Sequence, residues 1–307
     1  MDAFDQVVHS FRQALASEQW PLPRVTFGAV DRDGSLNYSK SFRDNSGSPD
    51  DCPDTDAVHW VASCTKLITT VAVLQCVEKG LLELDQDIST ILPEWKHPQV
   101  LTGFDEAGQP LFRPAWSTIT LRHLLTHSSG MSYSWMHPLL QRYQKLHGPL
   151  APVGQTIKDS YHPFLVCDPG EQWIYSPSID WAGLMVERVN GGMKLGEYMR
   201  RFIFDPLGIR DSAFHLEHRE EMRARKGKLW ERTPGGLEEM KTPFWSDPIT
   251  DDMGGGGLYS TVSDLLKLYR GILRGDVLRI ETVKAMFLPQ LFSTTGLDKP
   301  EDIPVNH

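Results

Sequence analysis

Between Trp60 and Val77 the chain is apolar almost all round a helical wheel: Trp60, Val61, Ala62, Leu67, Ile68, Val71, Ala72, Val73, Leu74 and Val77 leave no broad polar face. Such a segment belongs at the centre of a larger body, so the rest of the 307 residues must cover it on several sides. Gly80 supplies its stop. The head of this segment reads Ser63-Cys64-Thr65-Lys66. An α-helix turns about 100° per residue, so a serine and a lysine three apart share a face, and the amine reaches the hydroxyl one turn away. That is the geometry of an activated serine nucleophile, and the backbone N–H groups of a helix start would face a developing oxyanion. A lysine beside so buried a run needs a task, because its charged form is costly away from water. A surface serine next to a solvated lysine fits the tetrapeptide alone about equally well, since short motifs of this kind recur by chance.

The remaining bulk properties exclude more than they assign. A formal net charge of -9, with no Lys/Arg-rich block, argues against nucleic acid or an anionic membrane as the main partner. No apolar run approaches the roughly 20 residues of a membrane span. Met1-Asp2-Ala3-Phe4-Asp5 carries acids where a signal peptide carries basic residues, and the segment to Ala16 reads as an amphipathic helix, so a cytoplasmic protein is expected. Cys52, Cys64, Cys76 and Cys167 form no Cys-x-x-Cys pair, which signals neither a zinc knuckle nor a dithiol redox site. Cys64 follows the candidate nucleophile by one residue, about 100° round the helix, so a packed thiol is expected there.

Along the chain, a hairpin is expected from Val25–Val30 and Leu36–Phe42 about a turn at Asp31-Arg32-Asp33-Gly34. Residues 43–56 read as a loop, and a Pro/Gly-punctuated stretch runs from Pro93 to Thr118. A short helix closed by a glycine is expected in 120–130, and the pattern weakens over 138–165. Asp168-Pro169-Gly170-Glu171 is a turn leading into Trp173-Ile174-Tyr175-Ser176. Helical pattern covers Asp180–Val189 and Leu195–Ile203, stopped by Pro206-Leu207-Gly208; residues 217–252 are charged and loop-like. A helix from Thr261 to Leu273 follows four glycines, with Thr261 and Asp264 as a capping box.

A serine–lysine pair becomes catalytic when a third group handles the proton, and Tyr175 is the strongest candidate, although a lone tyrosine in a loop is more often a packing residue. A phenol ionises near pH 10 in water, so a base role requires a cation beside it. Two other patterns carry less. His123 and His127 have zinc spacing, but Leu124 stands where a metalloprotease has its glutamate and no third ligand is evident. Gly254–Gly257 lacks the Gly-Lys-Ser/Thr of a phosphate loop, and a close backbone approach beside the site suits it better.

Five segments stand in an order that resembles the class C β-lactamase-like serine hydrolase superfamily: Ser63-x-x-Lys66, the run 118–130 ending Thr126-His127-Ser128-Ser129-Gly130, Pro169-Gly170-Glu171-x-Trp173-x-Tyr175-Ser176, Pro206-Leu207-Gly208-Ile209, and Gly254-Gly255-Gly256-Gly257-Leu258-x-Ser260-Thr261. Within it the chain looks most like the fungal acyltransferases of polyketide pathways, the lovastatin side-chain transesterase type, through Thr65–Thr70, Leu74-Gln75-Cys76, Gly103-Phe104-Asp105, His137–Leu140 and Asp180–Gly183. The resemblance covers residues 3 to 290, with gaps in the loops.

It implies an α/β (α+β) fold of the β-lactamase/transpeptidase type, a helical lobe packed on a mainly antiparallel sheet. Residues 1–292 would form one catalytic domain, with helix and hairpin in 1–45 and a mostly helical lobe in 57–292, and 293–307 a disordered tail. It implies Ser63 as the acylated nucleophile, Lys66 and Tyr175 sharing the base role, and no cofactor or metal. The acyl group would come from a thioester, on an acyl carrier protein domain or a small thiol, and pass to a hydroxyl of a polyketide-type small molecule. Trp60, Ser160, Trp173, Ser178, Phe244, Gly256 and Gly257 are the positions expected to meet substrate. Trp60 stands where the transesterases carry an arginine three residues before the nucleophile, and Ser160 where they carry another 15 residues before the tyrosine, which implies a different acceptor. The family pattern continues past His307 into sheet strands with a third motif, so the sheet is expected to lack its C-terminal strands and the site its second oxyanion N–H. Two alternatives remain: an esterase with water as acceptor, and an impaired remnant or binding protein that keeps the pocket.

Overall fold

The structure, a computed structural model, describes residues 5–7, 9–10, 24–43, 56–148, 155–234, 236–241 and 248–297. Of the expected N-terminal helix, 5–7 and 9–10 are helical and the remainder lies outside the described residues. The hairpin forms as expected: β1 (Arg24–Val30) pairs antiparallel with β2 (Asn37–Arg43), Val30 opposite Asn37, and the Asp31 carboxylate accepts the Gly34 N–H at 2.6 Å to close the turn. β3 (His59–Trp60) then leads into a short 3₁₀ turn, Ala62–Cys64, and α1 (Thr65–Glu78).

α1 is the central helix the sequence calls for. Its side chains from Ile68 to Leu74 include β-branched Ile68, Thr69, Thr70, Val71 and Val73, poor helix formers on their own. Tertiary burial holds it instead: Val71, Ala72, Val73 and Cys76 have no exposed surface. Burying a Val or Ile side chain contributes about 1.5–3 kcal/mol, more than its propensity deficit. The main core gathers round α1, with Leu121, Leu124, Trp181, Met185, Val186, Leu195, Tyr198, Ile203 and Leu268 among its buried members.

Several elements were not legible as such. The Pro/Gly-punctuated stretch folds into an antiparallel hairpin, β4 (Gln99–Phe104) and β5 (Pro110–Pro114), with a bulge between Leu101 and Gly103. After α2 (Leu121–Leu125), capped by Thr120, the weak stretch contains α3 (Pro138–His147) and one turn, α4 (Ile157–Ser160). α5 (Ser178–Val189) follows, and the expected Leu195–Ile203 helix is α6 (Leu195–Met199) running through a π turn at Arg200–Phe204 into α7 (Asp205–Leu207), where Gly208 ends it. The charged segment holds α8 (Glu220–Ala224) and the hairpin β6 (Trp230–Thr233) and β7 (Gly236–Glu239).

β8 (Tyr259–Ser260) returns to pair antiparallel with β3, and α9 (Val262–Arg274) and α10 (Ile280–Met286) complete the order. The Thr261 hydroxyl accepts the Asp264 N–H at 3.1 Å, but the reciprocal half of the capping box is absent. The Asp264 carboxylate instead accepts the Arg210 and Asp211 N–H groups at 3.1 and 2.6 Å, tying the loop after α7 to the start of α9. All four strand pairs are antiparallel and two-stranded among the described residues, and β1 lies against α9. No helix among them is long and apolar enough to cross a membrane.

Candidate active site

Ser63 is presented by a strained turn rather than by the helix proper. Ala62, immediately before it, has φ 45°, a left-handed conformation that costs an alanine about 1–2 kcal/mol. The turn is over-determined: the Cys64 N–H donates to Val61 O at 3.0 Å, the Thr65 hydroxyl to Ala62 O at 2.6 Å, and the Val61 N–H to Leu258 O at 3.0 Å. Ser63 projects from it exposed. Lys66 Nζ donates to Ser63 Oγ at 3.1 Å and to Gly255 O at 2.6 Å, and the Tyr175 hydroxyl donates to Ser63 Oγ at 2.5 Å. The ammonium nitrogen also lies 4.6 Å from the centre of the Tyr175 ring and 5.8 Å from that of Tyr133.

The 120–130 segment is the bed on which Tyr175 lies. Ile174 N–H donates to His127 O at 2.8 Å, and Ser176 N–H to His127 Nδ1 at 3.2 Å, which leaves the His127 proton on Nε2. Burial, with the Lys66 charge as a second cause, pulls His127 down to about 3, so the ring under Tyr175, 4.7 Å away, is neutral. Upstream, the Asp168 turn is anchored by Arg113 and by the Trp116 N–H at 2.8 Å, while Gly170 N–H donates to Ser128 O at 2.7 Å. Gly130, at φ 83°, lies where any Cβ would meet Cys167 O at 2.2 Å, so this close crossing requires glycine.

The four glycines form a strap across the head of α1. Gly254 O accepts the Thr69 hydroxyl at 2.7 Å, Gly255 N–H donates to Asp180 Oδ1 at 2.8 Å, and Leu258 N–H donates to the Thr65 hydroxyl at 3.2 Å. A Cβ on Gly255 would lie 2.3 Å from Asp180 Oδ2, so only glycine allows the strap to close on that carboxylate.

The remaining expected positions divide. Trp60 is half-buried and spends its indole N–H on Gly256 O at 2.6 Å. Trp173 is half-buried two residues before Tyr175, its ring 6.4 Å from the tyrosine's, and its backbone N–H donates to Thr295 O at 2.8 Å. Residues 293–297, assigned to the tail, thus begin as a turn against Trp173; 298–307 lie outside the described residues. Gly256 and Gly257 are buried within the strap. Ser178 has no exposed surface, its hydroxyl bonded to Ser129 Oγ at 2.6 Å and Ser176 Oγ at 2.8 Å, beneath the tyrosine loop. Ser160 is buried beside Tyr161, whose hydroxyl donates to Asp180 at 3.1 Å. Phe244 lies outside the described residues. Cys64 is exposed, contrary to the packed thiol expected, because the 3₁₀ turn carries both residues 63 and 64 clear of the helix. Sequence reasoning missed Asp180 and Tyr133; Tyr133 is buried 5.6 Å from the Tyr175 ring and stacks on the half-exposed Trp135 at 4.7 Å. Among the described residues no group of three or more His, Cys, Asp or Glu could hold a metal.

A charged staple holds the approach to the strap. His215 bonds Asp252 at 2.8 Å and Glu217 at 2.9 Å, and Asp252 also accepts the Gly196 N–H at 2.8 Å. The Asp252 carboxylate, then Glu217, raise His215 to about 9, above its unfolded value of about 6.5. The stabilisation is therefore whole below about pH 6.5 and is lost as pH rises through about 9. Melting temperature should fall across that window, and His215→Ala should flatten the fall; an equally steep fall in the variant would remove His215 as its cause.

Residues 29–302 match the protein family described as Beta-lactamase. The chain belongs to the beta-lactamase family. Within it, the chain is 37% identical over 291 residues to the monacolin J acid methylbutanoyltransferase of Aspergillus terreus, covering 92% of this chain and 70% of that one. It is 39% identical over 271 residues to a lovastatin esterase of Penicillium rubens, covering 86% and 68%. The structure superposes on unliganded simvastatin synthase (LovD) of Aspergillus terreus with a TM-score of 0.84 at 33% identity, covering 98% of this chain and 78% of that one. The resemblance read from the five segments therefore holds for the beta-lactamase fold, and that read from Thr65–Thr70, His137–Leu140, Asp180–Gly183 and their companions holds for the fungal acyltransferase branch within it.

Proposed function

We propose that the protein transfers an acyl group from a thioester to a hydroxyl of a polyketide-type small molecule through an acyl-Ser63 intermediate. The observation that carries this reading is a serine oxygen held at once by Tyr175, at 2.5 Å, and Lys66, at 3.1 Å. Ser63 Oγ attacks the thioester carbonyl while its proton passes to the tyrosine–lysine pair; the C–S bond breaks and the thiolate leaves with that proton. The acceptor hydroxyl then attacks the acyl carbon, gives its proton to the same pair, and Ser63 regains a proton as the C–Oγ bond breaks. The Cys64 and Thr65 N–H groups are engaged within the turn, so the Ser63 N–H is the local donor for the oxyanion. The aromatic rings next to Tyr175, those of Trp173 and of Tyr133 with Trp135 stacked on it, suit an apolar acceptor.

The similarity to relatives named as methylbutanoyltransferases of monacolin J acid and of ML-236A carboxylate supports transfer of an acyl group to a small-molecule acceptor of that kind. The similarity to a lovastatin esterase supports a second reading, the same acyl-enzyme discharged by water. Intact mass after incubation with a simple acyl thioester tests both. A single acyl adduct mapping to Ser63 is expected, discharged by a hydroxylated acceptor; discharge equally fast without acceptor would make the protein an esterase. A folded protein, by circular dichroism, that gains no adduct would overturn the proposal.

A further inference from the structure

Among the described residues Asp180 is a buried carboxylate without an ion-pair partner. The other carboxylates buried to a similar degree each contact a cation: Asp168 pairs with Arg113, Asp252 with His215, Asp264 with Lys267 and Glu187 with Lys194. Asp180 has no exposed surface and, among the described residues, no cation within ion-pair distance; it accepts hydrogen bonds from Gly255 N–H at 2.8 Å and the Tyr161 hydroxyl at 3.1 Å. An uncompensated buried carboxylate is costly, and such groups persist where they have a task.

Its position suggests the task. Gly255 receives Asp180 on its N–H and Lys66 on its carbonyl oxygen, at 2.6 Å, so one residue lies between the buried acid and the amine that touches Ser63. The groups facing Asp180 are Lys66 from α1, Tyr161 after α4, and Tyr133 across the site. Burial pushes the Tyr133 and Tyr161 phenols well above their ordinary value, so they stay neutral. We infer that Asp180 is a positioning residue for acyl transfer: through Gly255 it fixes the carbonyl that holds Lys66 against Ser63, and it supplies the buried negative charge that balances the lysine when the serine proton departs. This rests on the reading of Ser63 as nucleophile and of Lys66 with Tyr175 as its base. The surroundings agree with it. Burial raises the Asp180 carboxyl to about 6, and the Lys66 charge is the largest influence holding it down, with the Gly255 and Tyr161 hydrogen bonds behind.

The test uses a fluorophosphonate, which modifies an activated serine with loss of fluoride and needs no thioester. Labelling of the wild type should lose rate below about pH 6 as Asp180 takes a proton. Asp180→Asn keeps an oxygen for the Gly255 N–H and removes the charge, so it should label about 10- to 100-fold more slowly near pH 8, with that acid limb gone and the melting temperature held. Tyr161→Phe removes a donor that favours the carboxylate, so the acid limb should move to higher pH. A purely structural Asp180 would change stability and leave the pH profile alone. Wild-type rate and profile in Asp180→Asn would overturn the inference, as would an unmoved limb in Tyr161→Phe should the first variant fail to fold. A wild type that labels with the fluorophosphonate but not with a thioester would remove the donor class while leaving Asp180 in its role.

Discussion

Ser63→Ala is expected to yield no acyl adduct from any thioester, with turnover reduced by on the order of 10⁴-fold or more. The size follows from the part played: without Oγ there is no atom to carry the acyl group, and no neighbour can replace it. Cys64 is exposed next door, but Tyr175 and Lys66 are aimed at Ser63 Oγ, not at its sulfur. The fold should survive. Ser63 is exposed and, among the described residues, its hydroxyl bonds only those two groups, so stability should move by no more than about 0.5 kcal/mol. Intact mass and a melting curve on the same sample check both halves, and an adduct of undiminished yield in the variant would exclude Ser63 from the chemistry.

Tyr175→Phe and Lys66→Ala should each slow acylation by about 10²- to 10⁴-fold while leaving the nucleophile in place. The phenol oxygen lies 2.5 Å and the amine 3.1 Å from Ser63 Oγ, so each loss removes one of the two groups within reach of the serine proton. Lys66→Ala has a second consequence, because the amine also holds Gly255 O at 2.6 Å and the strap loses that tether. The double variant should fall well short of the product of the two losses, since groups acting as a unit are not additive. Single-turnover acylation rates decide it; a Tyr175→Phe rate near that of the wild type would take the tyrosine out of the proton path.

How much of this was legible beforehand depended on whether the signal was local. The Ser63–Lys66 contact follows from spacing alone, and the turn before Tyr175 from Asp168-Pro169-Gly170-Glu171. The refinement that Ser63 sits on a 3₁₀ turn was not legible, because the left-handed Ala62 is held by Leu258 and Thr65, and the first of these lies far along the chain. Cys64 is exposed for the same reason. β4 and β5 were hidden by Pro110, Pro114, Gly103 and the bulge that breaks their alternation, and β6 and β7 by charged residues along a mostly exposed ribbon.

Asp180 stood in the sequence only as the first residue of the Asp180–Gly183 segment of the resemblance, which gave it no role. Its chemical signal was an acid in an otherwise apolar helix start, Ile179-Asp180-Trp181-Ala182, which reads equally as a favourable charge in a first turn. What makes it part of the site is Gly255, seventy-five residues away. The half-formed cap at Thr261 teaches the same lesson, since Asp264 was recognisable as a capping partner but its carboxylate is claimed by the backbone of residues 210 and 211.

The tryptophan that precedes the nucleophile has a consequence for selectivity. With its indole N–H committed to Gly256 O, Trp60 brings an aromatic ring and no charge to the segment that leads into Ser63. An arginine there would sort acceptors by their anionic groups, and its preference would weaken with ionic strength; the indole sorts by contour and by how readily a surface sheds water. Acceptors for this protein should then be ranked by lipophilicity, and that ranking should persist in concentrated salt.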